Sequence, residues 1–380
     1  MGRIKKVIAS TYIFDYGQMV EAFQLSLEGF SEVELESVCA KSFTIENNFK
    51  DLTGKVLSKG VISVDVNKNE KETQIVLRLD PFVFRYDFVV KYKCGVEDIS
   101  FNKNDIKDVK IKDLDKFKPY SENGVNYRMH EPEVTGSRPL VLFLHGGGEC
   151  GEDNIQSLTG TLGAMRLAER WSDMYIMAPQ APSGNMDINE MFELMKKRGN
   201  PFCVDMGITP FSLKGERGWN RDYLGKVCSI IQNMITDGKV DAKRVYVIGM
   251  SMGGGGVLNA VSVAPSLFAA AVPICPSMNG ESFAELLNLP EVPVWIATAY
   301  IDHQIGRHAY ILEACNKLWK EGRNDVKFTL FKPEELKAYG IGTTEGLTTK
   351  ELYEENHYSW ILVLHNEHGM LDWMISHVKK

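Results

Sequence analysis

The chain has 380 residues, 44% of them hydrophobic and 24% charged, with a formal net charge of −7 at pH 7. This length favours two domains, and the composition is that of an ordinary globular protein. The excess of acidic residues argues against a nucleic-acid-binding surface, which would be basic. No apolar run reaches the roughly 18 residues that a membrane span needs. We therefore expect neither a nucleic acid nor a membrane as a partner.

The seven cysteines are scattered and form no CxxC pair, which predicts free thiols rather than a disulfide framework. The pairs His365 with His368 and His303 with His308 lack an HExxH pattern or a cysteine partner, so we predict no metal and no cofactor. The basic N-terminus is followed by a short apolar stretch, 7–14, without a small-residue cleavage site. We expect a cytoplasmic protein, or a secreted one if a leader has been removed.

Residues 1–115 are predicted to form a small all-β domain. Short runs rich in Val, Ile, Phe and Tyr, several of them alternating with polar residues, predict strands at 7–14, 33–38, 61–66, 73–79 and 82–92. Short strands at regular spacing are typical of an immunoglobulin-like β-sandwich. The lysine-rich stretch 103–118 shows no core-forming pattern, and we predict it as the connector. Whether this domain forms a homo-oligomer, shields a site or binds polymer stays open.

Residues 116–380 alternate strand-like and helix-like segments, which predicts a mostly parallel sheet with helices on both faces, the α/β class. Apolar runs predict buried strands at 140–144, 174–178, 245–249, 269–273, 292–298 and 326–331. Amphipathic patterns predict helices at 223–234 and 310–321. Two segments fit this alternation poorly. We interpret 181–220, with a helical piece at 188–197, as a lid or cap insertion and 332–356 as a polar connection.

A nucleophile motif follows one of these strands. Gly249-Met250-Ser251-Met252-Gly253 begins at the end of an apolar run and leads into a helical pattern. A nucleophilic serine on a strained strand-to-helix turn needs glycines where the two backbones approach each other. The alternative is a glycine-rich turn that contains a serine by chance. Dinucleotide binding is excluded because GxGxxG requires glycine where Ser251 stands.

A glycine-rich loop follows another strand, at His145-Gly146-Gly147-Gly148-Glu149. In this architecture one oxyanion N–H follows the nucleophile and a second comes from such a loop. We assign these donors to Met252 and Gly147, and we place Gly148 in the substrate site. His145 is interpreted as structural because it precedes the serine. Residues 150–154 are expected to brace the loop through hydrogen bonds.

A serine nucleophile needs a base and an acid that orients the base, in the chain order Ser, Asp, His. Asp302 is the acidic residue in the loop that leaves the strand 292–298. His357 precedes an apolar segment that suits a final helix, so it can reach Ser251 from the sheet edge. His303 is too close to Asp302 in sequence to act as the separate base. The later histidines fall within or beyond the apolar segment and are interpreted as structural.

With these residues in place, the chain resembles bacterial α/β-hydrolase esterases with an N-terminal immunoglobulin-like domain, which are related to polyhydroxybutyrate depolymerases and feruloyl esterases. The resemblance rests on four patches: His145 to Glu149 with Asp153-Asn154, Arg244 to Gly254, Val294-Trp295 leading to Asp302, and His357 to Trp360 followed by Asp372-Trp373. The resemblance implies a triad of Ser251, Asp302 and His357. Where that family has a His-Gly pair before the aspartate, this chain has Thr298-Ala-Tyr-Ile301.

These observations predict a serine carboxylesterase that acts on short-chain acyl or aryl esters, and the resemblance implies that the esters are free or linked to polysaccharide. Trp219 and Phe211 are assigned to the wall of the substrate pocket, with a place in the core as the equal alternative. Two other functions stay open: a peptidase of the prolyl-oligopeptidase type, and a non-catalytic protein that binds carbohydrate or a partner.

Overall fold

The computed structural model describes most of the chain. The described residues are 3–47, 60–68, 73–85, 87–94, 97–134, 136–183, 218–277, 285–303, 306–343 and 346–380. Contacts divide the chain into two compact units, Met1–Asp115 and Lys116–Lys380.

The N-terminal unit is all-β apart from short helical turns. Its strands are β1 (Arg3–Phe14), β2 (Gly17–Glu28), β3 (Phe43–Asn47), β4 (Val61–Lys68), β5 (Thr73–Val83), β6 (Phe88–Cys94), β7 (Glu97–Asn102) and β8 (Ile106–Ile111). One sheet has the order β4-β5-β2-β1-β8 and the other β3-β6-β7. One apolar cluster, with Phe23 of the first sheet against Phe88 and Phe101 of the second, fills the space between them. This unit is a two-sheet sandwich, and its immunoglobulin-like character stays a prediction.

Three predictions for this unit are wrong. The predicted strand 82–92 covers the end of β5 and most of β6, with a turn at 84–85 between them. The stretch 33–38, predicted as a strand, overlaps helix α1 (Glu32–Glu36). Ser31 and Glu34 form a capping box there, in which each side chain binds the backbone N–H of the other, and this local signal outweighs the β propensity of two valines. The stretch 103–118 is not a featureless connector, because β8 lies within it and pairs in parallel with β1.

The C-terminal unit is built on an eight-stranded sheet. Its strands are β9 (Lys118–Glu122), β10 (Val125–His130), β11 (Arg138–Leu144), β12 (Tyr175–Pro179), β13 (Val240–Met250), β14 (Ala270–Ile274), β15 (Val294–Ala299) and β16 (Val326–Phe331). The order is β16-β15-β14-β13-β11-β12-β10-β9. The six strands from β16 to β12 are parallel, while β10 is antiparallel to both its neighbours.

Helices cover this sheet. They are α2 (Gln156–Thr159), α3 (Gly163–Arg170), α4 (Arg221–Thr236), α5 (Met252–Val263), α6 (Arg307–Lys320), α7 (Pro333–Ala338), α8 (Thr349–Asn356), α9 (Trp360–Leu364) and α10 (Met370–Ile375). One core cluster joins the sheet to α4, α5 and α6, while α3 contacts β12 and α10 contacts β13 and β14. Among the described residues, no helix is both long and apolar enough to cross a membrane.

The predicted α/β class, with a mostly parallel sheet, is confirmed. In α6, Ile311, Cys315 and Leu318 are buried as predicted, whereas Leu312 and Trp319 of the predicted stripe are about two-fifths exposed. The polar connection 332–356 contains the short helices α7 and α8. The helical piece predicted at 188–197 lies outside the described residues.

Candidate active site

Ser251 occupies a sharp turn between β13 and α5. Its backbone angles are φ 55° and ψ −119°, outside the regions that residues with a side chain ordinarily adopt. The turn is held by hydrogen bonds from the N–H of Ser251 to the carbonyl of Ile274 and from the N–H of Ser277 to the carbonyl of Ser251. Such over-determined strain is typical of a functional position, because the surrounding contacts must maintain it.

The two glycines that flank the serine lie where backbones touch. A Cβ atom on Gly249 would lie 2.6 Å from the carbonyl oxygen of Gly253. A Cβ atom on Gly253 would collide with the carbonyl oxygens of Leu144, the last residue of the neighbouring strand β11, and of His145 directly after it. The close packing of β13, α5 and β11 therefore requires glycine at both positions, as the motif predicts.

His357, 106 residues after Ser251 in the chain, contacts the serine side chain. Its Nε2 lies 2.8 Å from the Oγ of Ser251. His357 begins a short 3-10 turn directly after α8, and the side chain of Asn356 donates a hydrogen bond to the carbonyl of Ile301. This bond ties the histidine to the loop after β15. For Nε2 to accept the serine proton, the ring must carry its own proton on Nδ1.

Asp302 lies in that loop and faces the other side of the imidazole. Its Oδ2 lies 3.4 Å from Nδ1 of His357. The same oxygen accepts a hydrogen bond from Nη1 of Arg307, and Nη1 lies 3.2 Å from Nδ1 of His357. Asp302 and Arg307 are almost fully buried. The structure thus brings the three predicted triad residues together and adds a cation that sequence reasoning missed.

The charges of this cluster follow from burial and contact. Burial alone would raise the pKa of Asp302, but the guanidinium of Arg307 and the hydrogen bond from His357 outweigh it and hold this pKa well below its usual range. Burial lowers the pKa of His357, the Asp302 carboxylate opposes that shift, and the charge of Arg307 adds to it. At neutral pH the site therefore holds an ionised aspartate and an uncharged histidine.

The predicted oxyanion donors lie beside each other. A Cβ atom on Gly147 would be 3.9 Å from both Cβ and Sδ of Met252, so the glycine loop packs against the first residue of α5. Gly147 begins a single 3-10 turn, Gly147–Glu149, and is exposed. Gly148 is also exposed, and apart from its chain neighbours no described residue lies within 4 Å of the position that its Cβ would take. The oxyanion roles of Gly147 and Met252 and the substrate contact of Gly148 stay predictions.

Gln180, which the sequence did not single out, braces the glycine loop. It is buried directly after β12, and its amide nitrogen donates to the carbonyl of Glu149 and to Oδ1 of Asp153. Its amide oxygen accepts from the backbone N–H of Asn154. The side chain of Asn154 in turn donates to the carbonyls of Tyr120 and Tyr127. The loop is therefore fixed to the strands β9, β10 and β12 of the sheet.

Trp219 lies in the core and not on a pocket wall. Its side chain is fully buried, and its indole N–H donates to the carbonyl of His145 at 2.9 Å. Its ring lies 4.8 Å from that of His145 and packs against Gly256 of α5. The structure thus favours the core alternative over the assignment of Trp219 to substrate binding. Phe211, and all but the ends of the predicted lid 181–220, lie outside the described residues.

Asp302, His303 and His357 offer three ligand-type atoms within 4.8 Å of one another. The permanently charged guanidinium of Arg307 contacts two of these residues, Asp302 and His357. A divalent cation would lie beside this charge and be repelled, so we assign no metal to this cluster.

Comparisons with known proteins support the fold. A family model described as "PETase: PET hydrolase-like" matches residues 220–321, a range that includes Ser251 and Asp302. A solved thermostable esterase is similar over 99% of this chain and 100% of its own, with 21% identity and a TM-score of 0.60. The predicted α/β-hydrolase fold is confirmed by this match together with the family model.

Two further solved structures match more distantly. An S-formylglutathione hydrolase from Staphylococcus aureus covers 68% of this chain and 95% of its own, with 14% identity and a TM-score of 0.39. A ferulic acid esterase covers 57% and 90%, with 13% identity and a TM-score of 0.38. No curated protein matches the sequence significantly.

Proposed function

We propose that this protein is a serine carboxylesterase in which Ser251 is the nucleophile, His357 the general base and Asp302 the acid that orients the base. The observation that carries the proposal is the 2.8 Å contact between Nε2 of His357 and the Oγ of a serine held at a positive φ angle. The family model described as PET hydrolase-like and the likeness to a thermostable esterase support ester hydrolysis as the reaction.

The geometry leads to a two-step reaction. His357 takes the proton of Ser251 on Nε2 while Oγ attacks the ester carbonyl, and the carbonyl oxygen becomes an anion. The N–H groups of Met252 and Gly147 would hold this oxyanion, and loss of one such donor typically costs about 3–4 kcal/mol. The tetrahedral intermediate then expels the alcohol, which takes its proton from His357, and leaves an acyl-enzyme. Water, deprotonated by His357, attacks the acyl-enzyme and releases the acid.

The substrate class we propose is the ester of a short-chain or aryl acid, either as a small molecule or attached to a polysaccharide. Gly147 and Gly148 are exposed and carry no side chain, so within the described part of the chain the glycine loop adds no bulk to the site. A loop without side chains suits an acyl group carried on a larger molecule.

The test is hydrolysis of p-nitrophenyl esters of increasing acyl length by the wild type, Ser251→Ala and the control Ser262→Ala. Ser262 is a half-buried residue of α5 whose hydroxyl accepts a hydrogen bond from Arg221. We expect Ser251→Ala to lose roughly 10⁴-fold or more in kcat, since removal of a nucleophile has effects of this size. Ser262→Ala should keep wild-type activity.

Peptide p-nitroanilides and a fluorophosphonate probe complete this test. Hydrolysis of esters without cleavage of the anilides, and covalent labelling that disappears in Ser251→Ala, support the proposal. A wild type inactive on every ester, or full activity in Ser251→Ala, would require the proposal to be abandoned. Cleavage of the peptide anilides, lost in Ser251→Ala, would instead assign a peptidase.

A further inference from the structure

Arg307 is buried within the candidate triad. Its side chain is 2% exposed, that of Asp302 1%, and the two form an ion pair at the first residue of α6. Gly306, with φ 85°, precedes it and turns the chain into the helix. Removal of a guanidinium from water is costly unless it is paired, and the atom that pairs here also approaches the base of the site.

The contacts place two donors on one carboxylate oxygen. A guanidinium is always charged and has no acceptor, so Nη1 of Arg307 donates to Oδ2 of Asp302 in every protonation state. In the tautomer that lets Nε2 accept the serine proton, Nδ1 of His357 donates to the same oxygen, at the long distance of 3.4 Å. Oδ2 is already neutralised by Arg307 and is thus a weaker partner for an imidazolium. The cation 3.2 Å from Nδ1 also opposes a second proton on the ring.

We propose that Arg307 is a positioning residue, which shares the Asp302 carboxylate with His357 and thereby keeps the base uncharged, and able to accept the serine proton, in mildly acidic solution. The inference rests on the proposed function, since it gives Arg307 a task in the reaction of Ser251, His357 and Asp302.

The other groups near His357 do not replace this cation. The ring of His303 packs edge-on against that of His357, with centroids 3.9 Å apart, and burial holds the pKa of His303 so low that it stays uncharged. Burial raises the pKa of the Cys275 thiol to about 12, so it is also neutral. Glu355 of α8, two residues before the base, accepts a hydrogen bond from the N–H of Gly342. Of these groups, only Arg307 places a positive charge at Nδ1.

The test is the pH dependence of kcat/KM on a p-nitrophenyl ester for the wild type, Arg307→Gln and Arg307→Lys. Without the cation, Asp302 stabilises the imidazolium more fully, so the base protonates at higher pH. We expect the acidic limb to move up by about one pH unit in Arg307→Gln, the shift that one nearby charge typically causes. At pH values below the acidic limbs of both proteins, kcat/KM of Arg307→Gln should then be about tenfold lower than that of the wild type, and the loss should lie in kcat and not in KM. Arg307→Lys should lie between the two.

Arg323→Gln is the matched control. Arg323 forms a comparable, partly buried ion pair with Asp325 and donates to the carbonyls of Leu289 and Pro290, away from the residues of the site. Its loss should leave the acidic limb in place. An unmoved or lowered limb in an Arg307→Gln protein that unfolds cooperatively overturns the proposal.

A spectroscopic measurement keeps the inference testable if Arg307→Gln does not fold. In wild-type protein with ¹⁵N-labelled histidine, the signal of His357, assigned by its loss in His357→Gln, should titrate below the free-imidazole value of about 6.5. Titration above that value overturns the proposal. Absence of esterase activity would refute the proposed function alone, because this titration needs no substrate.

Discussion

Acid should destabilise the folded protein where the glycine loop begins, because His145 is buried there as a neutral ring. It is 1% exposed, its Nε2 accepts the backbone N–H of Ala181 at 2.9 Å, and Nδ1 donates to the carbonyl of Gly146 at 2.7 Å. Burial lowers the pKa of His145 to about 4. A protonated ring could not accept the bond from Ala181, so protonation would break a contact that ties the loop to the end of β12.

The size and sign of the effect follow from the two protonation equilibria. The unfolded chain binds a proton on this histidine below about pH 6.5, and the folded chain only below about pH 4. Between these values the unfolded state binds more protons, so the free energy of unfolding falls as the pH falls. The difference of about 2.5 pH units corresponds to about 3 kcal/mol, all of it retained above pH 6.5.

The assay is urea unfolding followed by tryptophan fluorescence between about pH 4 and 7.5. All six tryptophans belong to the C-terminal unit, so the signal reports on that unit alone. They are Trp171, Trp219, Trp295, Trp319, Trp360 and Trp373. His145→Gln should be less stable at pH 7.5, where the wild-type contacts are intact, but should lose about 3 kcal/mol less than the wild type on acidification.

The low pKa values of His303 and His357 destabilise both proteins in acid, so their effect cancels in this difference. Parallel curves of stability against pH for the wild type and His145→Gln would refute the reasoning. They would mean that His145 protonates in the folded protein as easily as in the unfolded one.

Three further outcomes are expected. Gly253→Ala should lose about 3 kcal/mol or more of unfolding free energy, because its new Cβ would meet the backbone of β11. Its control is Gly225→Ala in α4, where apart from the helix itself no described atom lies near the new Cβ and the unfolding free energy should rise by about 0.5–1 kcal/mol. Both values are measured by urea unfolding. Gln180→Leu should lower kcat/KM for esters about 10- to 100-fold at unchanged Ser251 labelling stoichiometry, since the glycine loop loses its brace. In native protein the exposed Cys39 should react with Ellman's reagent at once, while the buried Cys228 should react only on unfolding, because burial raises the pKa of its thiol to about 12.

Each of these outcomes has a clear contradiction. Wild-type stability in Gly253→Ala would mean that β11 and α5 are farther apart than described. Undiminished kcat/KM in Gln180→Leu would show that the loop holds its shape without the amide. Rapid labelling of Cys228 in folded protein, identified by peptide mapping, would contradict its burial.

The parts of the site that could be predicted from the sequence are those whose constraints are local. The glycines around Ser251 stand beside it in the chain, between a strand pattern and a helix pattern, so they indicate the proposed nucleophile even though Gly253 also packs against the distant strand β11. Asp302 could be proposed because chain order and the end of β15 restrict the choice. His357 was separable from the later histidines because the apolar segment after it becomes α9 and α10.

The parts that sequence did not reveal depend on contacts between distant segments. An arginine five residues after Asp302 reads as an ordinary helix start, and only folding brings it to His357, 50 residues further along the chain. Gln180 becomes a brace because β12 ends opposite the glycine loop. Trp219 could be assigned to a pocket or to the core with equal reason, since an indole suits both and only its bond to His145 decides.

The parallel pairing of β1 with β8 has a consequence for how the N-terminal unit comes into being. Ala9 pairs with Val109, so the sheet is completed only by residues one hundred positions later in the chain. During synthesis β1 and β2 can form a hairpin early, but the outer side of β1 stays unpaired until β8 has left the ribosome. Such distant pairing slows folding and leaves a strand edge available to other chains. Val7 and Ala9, which are buried in the finished unit, therefore remain exposed during that interval.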